Sequence, residues 1–367
     1  MADSRRRENP TIVMDAPMRR GVSVTMLDRA SGYAPLPWGI DLLLTDACNL
    51  RCTYCPITTD MVTLRPSAVM DTGRALDFLE SVAHFRPMIR MFGGEPLLHP
   101  EWPRIFARTH ELGLPFTIVT NGTRIAGHAA ELVRSGITAV GISVDPAEAH
   151  EKYRGAGSFA LCRSVIDELQ DAKSRLGSGT PLIEIFTTVY EGTHDRLIEW
   201  ADELRSWPID MLRFQHQIWL RTAQRPVSEA LIAEACGDSE FFRSDVDTYC
   251  SDDMPNVDVD VLERHLLHLQ ATRYPFKVEF HPPLPVHEML EFYRNPDFHR
   301  VTERPCTLIS NYAFVDPRGR LYPCLTLDMG NVFDEPFHDV WNGEKFRAFR
   351  RLLREHERLP LCERCPA

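Results

Sequence analysis

The sequence predicts an α/β protein, and three observations carry that prediction. Between about residues 36 and 220, six short apolar runs alternate with amphipathic helical stretches. This alternation is the pattern of βα units on a parallel sheet. Past residue 220 the pattern breaks, and a second group of cysteines follows near the C-terminus.

In chain order, residues 1 to about 35 are polar, arginine-rich and aperiodic, as expected of a tail or an extended cover. The apolar runs are Ile40–Leu44, Met88–Phe92, Phe116–Thr120, Ala139–Val144, Ile183–Val189 and Leu212–Trp219. Helical periodicity marks Asp71–His84, Glu101–Leu112, Ala126–Ser135 and Phe159–Ser174 between them. From about 221 to 300, Ser228–Cys236 and Val261–Thr272 read as helices and Lys277–His281 as a short strand. Pro282, Pro283 and Pro285 interrupt regularity there, so this region reads as a connector and possible lid. Residues 301–367 form the last unit. In it Asp316-Pro317-Arg318-Gly319 is a turn signal between Tyr312–Val315 and Arg320–Tyr322, which predicts a hairpin. A helix is expected from Glu335 to about Arg354.

Composition narrows the function classes. A chain of 367 residues with 44% hydrophobic content suffices for one large or two modest domains. The formal net charge is −11 without a long basic run, which argues against nucleic-acid binding by phosphate neutralisation. No stretch approaches ~18 consecutive apolar residues, so no membrane span is expected. The N-terminus has no apolar core segment of the kind a signal peptide carries. Ten cysteines without an export signal point to metal binding in a reducing, cytoplasmic setting.

Cys48, Cys52 and Cys55 stand at the spacing C-x3-C-x2-C just after the first apolar run. Three thiolates can hold a cubane iron–sulfur cluster and leave one iron open to a small molecule. Zinc structural sites prefer four ligands in paired C-x2-C knuckles, which this set does not match. With Tyr54 before the third cysteine, the segment resembles the signature of the radical S-adenosylmethionine (radical SAM) enzymes. The resemblance implies a partial (β/α)6 barrel of TIM type, with chemistry at the C-terminal ends of the strands. It also implies a [4Fe-4S] cluster whose open iron binds SAM, and reductive cleavage of SAM to a 5′-deoxyadenosyl radical.

Further segments carry the resemblance. Gly93-Gly94-Glu95-Pro96 matches the family's Gly-Gly-Glu-Pro motif, whose backbone meets the SAM amino group, with Glu95 as a candidate acceptor. Asn121 closes the third run and is a candidate contact. Ser143 and Asp145 end the fourth, at positions that in the family hold the SAM ribose and carboxylate; a helix cap is the alternative for Asp145. Arg154 resembles an element that pairs with the SAM carboxylate, with an exposed salt bridge as the alternative. Thr187 and Thr188 end the fifth run, where a hydroxyl can touch SAM.

The C-terminal cysteines are Cys306, Cys324, Cys362 and Cys365, the first two in a C-x12-G-x4-C pattern. Four thiolates can enclose a cluster with no open iron; a four-cysteine zinc site is the alternative. The stretches Gly319–Cys324, Gly330–Val332 and Val340–Gly343 resemble SPASM and twitch domains. Ending two residues after Cys365, the chain is expected to hold a single auxiliary [4Fe-4S] cluster, as twitch domains do.

For chemistry on substrate, Cys236 and Cys250 are candidate hydrogen donors at the barrel mouth, while Cys162 reads as core. Among Gln215, His216 and Gln217, whichever faces inward is a candidate substrate contact. The resemblance implies a dehydrogenase-like enzyme acting on a sugar, an aminocyclitol or a nucleoside-like molecule in natural-product biosynthesis. The auxiliary cluster would accept the electron, and a flavodoxin or ferredoxin would supply reducing power. A redox-neutral epimerase, deaminase or decarboxylase is the second possibility, and a peptide or protein maturase the third. A non-catalytic cluster carrier would need none of the SAM motifs.

Overall fold

The computed structural model describes residues 30–55, 67–217, 219–237, 250–281, 283–298, 306–324 and 327–364. Its centre is one open sheet of nine strands: β1 Gly39–Thr45, β2 Met88–Gly93, β3 Phe116–Thr120, β4 Ala139–Ser143, β5 Leu182–Val189, β6 Met211–His216, β7 Lys277–His281, β8 Tyr312–Val315 and β9 Leu321–Tyr322. The order is β7-β6-β5-β4-β3-β2-β1-β8-β9. Every pair is parallel except β8 and β9, which form the expected hairpin.

Helices cover one face. They are α1 Thr72–Val82, α2 Trp102–Glu111, α3 Ala129–Arg134, α4 Ala147–Tyr153, α5 Ser158–Leu176, α6 Leu197–Glu203, α7 Arg225–Cys236, α8 Val259–Ala271, α9 Val286–Arg294, α10 Leu308–Asn311, α11 Phe337–Trp341 and α12 Glu344–Glu355. The strands alternate strictly. Ile40, Leu42, Ile89, Met91, Ile118, Ile142, Ile185 and Leu212 pack into the core under the helices. Asp41, Arg90, Thr117, Glu184, Arg213 and Glu279 lie on the other face of the sheet, Asp41, Arg90 and Thr117 in register across β1–β3 and Arg213 with Glu279 across β6–β7.

That second face is concave. In a flat sheet β2 and β7 would stand about 24 Å apart, five strand spacings. Yet the charge of Arg90 acts on His281 of β7. The sheet therefore curls as a partial barrel, and its inner face encloses a lumen.

Four details depart from the sequence reading. The strand at 277–281, expected inside a connector, extends the barrel sheet beside β6. The hairpin strand β8 joins the opposite end, beside β1. The single helix expected from Glu335 is two helices, parted at Asn342–Gly343, where Asn342 turns its side chain to Ala34. Residues 30–35, read as tail, pack along these helices, with Trp341 Nε1 donating to the carbonyl of Pro35 at 2.8 Å. Among the described residues, no helix is long and apolar enough to cross a membrane.

Candidate active site

The loop after β1 carries Cys48, Cys52 and Cys55, and the ends of β2, β3 and β4 brace it. Gly94 N donates to Thr45 O and Glu95 N to Ala47 O, each at 2.8 Å. A Cβ on Gly94 would overlap the carbonyl oxygen of Ala47, and one on Gly93 that of Thr45. The glycine pair therefore permits close approach to the backbone that leads into the cysteine loop. Pro96 opens a buried 3-10 turn that fixes the end of this segment.

From β3, Asn121 Nδ2 approaches Cys48 Sγ at 3.6 Å and Asn49 Oδ1 at 3.0 Å. Leu50 N points at the same sulfur from 3.5 Å. Burial pushes the Cys52 thiol up to about 11, Arg154 opposing and Cys55, Cys48 and Asp145 reinforcing. Burial likewise raises Cys48, which also feels Cys55. The three thiols thus share one neighbourhood, and N–H groups already point at sulfur, as suits cluster thiolates. Iron ligation is what deprotonates such thiols. Among the described residues, no three His, Cys, Asp or Glu side chains converge as on a single ion. A cubane joins each thiolate to a different iron and does not require that convergence.

Glu95 is held by the protein's own donors. Its carboxylate is fully buried and accepts from Thr120 Oγ1 at 2.7 Å, Asn121 N at 2.7 Å and Leu97 N at 3.1 Å. Burial outweighs these donors and raises its pKa to about 7. Glu95 ties the end of β2 to the end of β3.

Asp145 and Arg154 meet each other. Arg154 Nε lies 2.7 Å from Asp145 Oδ2 and Nη2 3.1 Å from Oδ1. Tyr54 OH also donates to Oδ2 at 2.7 Å, and Thr188 N to Oδ1 at 3.2 Å. Asp145 is fully buried, and Arg154 nearly so. Arg154, expected on a SAM carboxylate, and Asp145, expected with Ser143 at the SAM ribose and carboxylate, are thus joined in a buried pair that carries Tyr54. The hydroxyl of Thr187 also turns away from the lumen: it donates to Val144 O at 2.6 Å and accepts from Trp200 Nε1 at 2.8 Å, under the helices. Thr188 and Ser143, both half-buried, are the residues at these strand ends on the inner face.

The two candidate thiol donors stand on either side of residues 238–249, which lie outside the described residues. Cys236 ends α7 and feels Arg351, Lys345 and Glu344 of α12. Cys250 bridges to Leu220 and packs against Leu220 and Leu361. Burial raises both thiols. His216 is a core residue, its Nδ1 2.8 Å from Tyr293 OH, whereas Gln215 shares the inner face with His281. Cys162 is buried in α5, as expected.

Sequence reasoning missed the charged inner face: Asp41, Arg90, Glu184, Arg213 and Glu279. A signal existed, since four of the six apolar runs are each broken by one charged residue: Asp41, Arg90, Glu184 and Arg213.

In the C-terminal region Cys306 precedes α10, Cys324 follows β9 and Cys362 ends a 3-10 turn; all three are half-buried. Cys365 lies outside the described residues. Arg364 anchors this end of the chain, stacked 3.5 Å from the Trp219 ring centroid and donating to Asn295 O at 2.6 Å.

The family model of the radical SAM superfamily matches residues 42–196, and that of the SPASM iron–sulfur cluster-binding domain matches residues 306–366. The chain is 25% identical over 319 residues to the AdoMet-dependent heme synthase of Methanosarcina barkeri, covering 84% of this chain and 83% of that one. It is 27% identical over 356 residues to a PqqA peptide cyclase of Xanthomonas oryzae pv. oryzae, covering 91% and 81%. Among solved structures, Streptococcus suis SuiB bound to S-adenosylmethionine superposes with a TM-score of 0.62 at 14% identity, over 86% of this chain and 68% of SuiB, a likeness of fold. With both family models at the positions of its two cysteine sets, the chain belongs to the radical SAM superfamily and carries a SPASM domain, and its cofactors are a SAM-binding [4Fe-4S] cluster, an auxiliary cluster and SAM.

Proposed function

We propose that this radical SAM enzyme oxidises an organic substrate by two electrons, after hydrogen abstraction from a carbon that faces the lumen. When bound, the SAM-loaded cluster supplies a 5′-deoxyadenosyl radical that abstracts hydrogen, and the auxiliary cluster supplies an electron acceptor. Cys48, Cys52 and Cys55 would hold the first cluster, and Cys306, Cys324, Cys362 and Cys365 the second. Asn121 and Leu50 N–H groups steady the Cys48 sulfur. Tyr54, fixed by Asp145, holds the loop against β4. Ser143 and Thr188 offer hydroxyls on the inner face. A small low-potential protein such as a flavodoxin or ferredoxin would deliver the reducing electron, in a reducing compartment.

The observation that carries oxidation over a redox-neutral outcome is the second cysteine set, in the segment matched by the SPASM model, which offers a cluster to take the electron. Of the candidate thiol donors, Cys236 packs against α12, whereas Cys250 lies beside Leu220, just past the end of β6. A small molecule of sugar, aminocyclitol or nucleoside type fits this reading. The likeness to PqqA peptide cyclase over 91% of the chain favours a second reading, in which the reacting carbon belongs to a peptide. The test is anaerobic turnover in deuterated buffer across both substrate classes. A product two hydrogens lighter is expected; unchanged composition with one deuterium at carbon would overturn the oxidation.

A further inference from the structure

Barrel interiors are ordinarily filled by branched apolar side chains. This lumen instead carries ions on two facing walls. On one, Arg90 Nε donates to Asp41 Oδ1 at 2.8 Å, its Nη2 pairs with Oδ2, and Tyr312 OH also donates to Asp41. On the other, Arg213 Nη2 stands 3.1 Å from Glu279 Oε2, and Lys277 pairs with the same carboxylate. Glu184 is buried beside them. The walls sense each other, since Glu184 acts on Arg90, and both arginines act on His281.

Buried ion pairs rarely stabilise a fold better than apolar packing does, so their presence calls for another reason. Two further facts supply it. First, each acid on these walls is answered: Asp41 by Arg90 and Tyr312, Glu279 by Arg213 and Lys277. Burial raises the Glu184 pKa to about 7, which lessens the negative charge on these walls near neutral pH. Second, two buried polar atoms on this face have no hydrogen-bond partner among the described residues: Arg213 Nε, on a side chain 6% exposed, and Thr117 Oγ1, in register with Arg90. Both can donate, and a buried donor left unmet is costly. The flanks are aromatic: Phe186 lies under the Arg213 guanidinium at 5.0 Å, and Phe92 and Phe314 stand 6.4 Å apart.

We propose that the lumen binds substrate through a carboxylate, received by Arg213 and Thr117, with an apolar portion of the substrate against Phe92, Phe186 and Phe314. This deepens the proposed function, on which it rests, by naming a chemical class for the substrate. The methionine carboxylate of SAM has the same chemistry. The substrate is the source favoured here, because Arg90, Thr117 and Arg213 lie within their strands, whereas the cysteine loop and the residues bracing it lie at the strand ends.

The probe is 3-phenylpropionate, with neutral 3-phenylpropionamide as control, titrated calorimetrically into reconstituted holoenzyme saturated with SAM. The carboxylate should bind at least about tenfold more tightly than the amide, and Arg213→Gln should lose about tenfold. No binding of the carboxylate, equal binding of the amide, competition with SAM, or an unchanged Arg213→Gln would overturn the proposal. Should Arg213→Gln fail to fold, the near-isosteric Thr117→Val decides: a loss of about threefold supports the site, and none refutes it. Formation of 5′-deoxyadenosine is measured on the same preparation. Its absence with carboxylate binding intact would reject the radical reading and support the anion site.

Discussion

Arg318, in the turn of the C-terminal hairpin, places Nη1 3.4 Å from Oδ2 of Asp46, two residues before Cys48. The turn of one iron-binding region thus touches the approach to the other. Asp46 is nearly buried and also accepts from Ala68 N, whereas Arg318 is about one-third exposed. Arg318→Ala should therefore cost roughly 1 kcal/mol or less. Asp46→Ala, which strands a backbone donor, should cost about 1–3 kcal/mol. Denaturant unfolding under argon measures both, and equal costs would contradict the asymmetry.

Reconstituted protein should hold about eight irons per chain, in two cubane clusters. Replacing Cys48, Cys52 and Cys55 together by alanine should leave about four and abolish SAM cleavage. Iron assay and 5′-deoxyadenosine formation read the two effects separately.

Gly94→Ala is expected to lower first-cluster occupancy while the fold persists. The added methyl group meets the Ala47 carbonyl and must displace the segment entering the cysteine loop. Iron content should fall toward that of the triple cysteine variant with little change in circular dichroism. Full iron loading would show that the loop can move aside.

Asp145 and Arg154 should behave as one unit. Removing either alone leaves a buried charge unpaired, a loss of about 3–5 kcal/mol. The joint Asp145→Asn, Arg154→Gln variant should lose less than the sum of the single changes, with coupling of about 1–3 kcal/mol. Additive losses in unfolding experiments would mean that the pair is not formed.

Glu184 makes stability depend on pH. Burial raises its pKa from 4.5 to about 7, with Glu279 and Asp210 adding and Arg213 and Lys277 opposing. The folded form thus holds the proton more tightly than the unfolded form. That contribution is complete below pH 4.5 and is lost as pH rises through 7. Relative to wild type, Glu184→Gln should gain about 2–3 kcal/mol of stability between pH 5 and 8. A constant difference between the two proteins would contradict the shift.

The helix-facing half of each strand was legible in the sequence, because apolar runs of five to eight residues between amphipathic helices have few other uses. The hairpin was legible too: Gly319, at φ +82°, and Asp316, which accepts from Arg318 N and Arg320 N, meet the demands of that turn. The partners of Glu95, Asp145 and Arg154 were not legible. Each is a charged residue beside a known motif, and only the fold decides whether its counter-group is a ligand or another part of the chain. The sheet position of Lys277–His281 was hidden for another reason, since pairing at a sheet edge depends on which strand lies next to it, not on the segment's own composition.

The pairing of β8 with β1 bears on how this protein can be divided. With residues 301–367 removed, β1 would become an open edge, its N–H and C=O groups along Gly39–Leu42 left without their β8 partners. Such an edge invites pairing with another chain and hence aggregation. The strand leading to Cys48 therefore owes its solubility to the C-terminal region, and a truncated barrel should precipitate before its chemistry can be assayed.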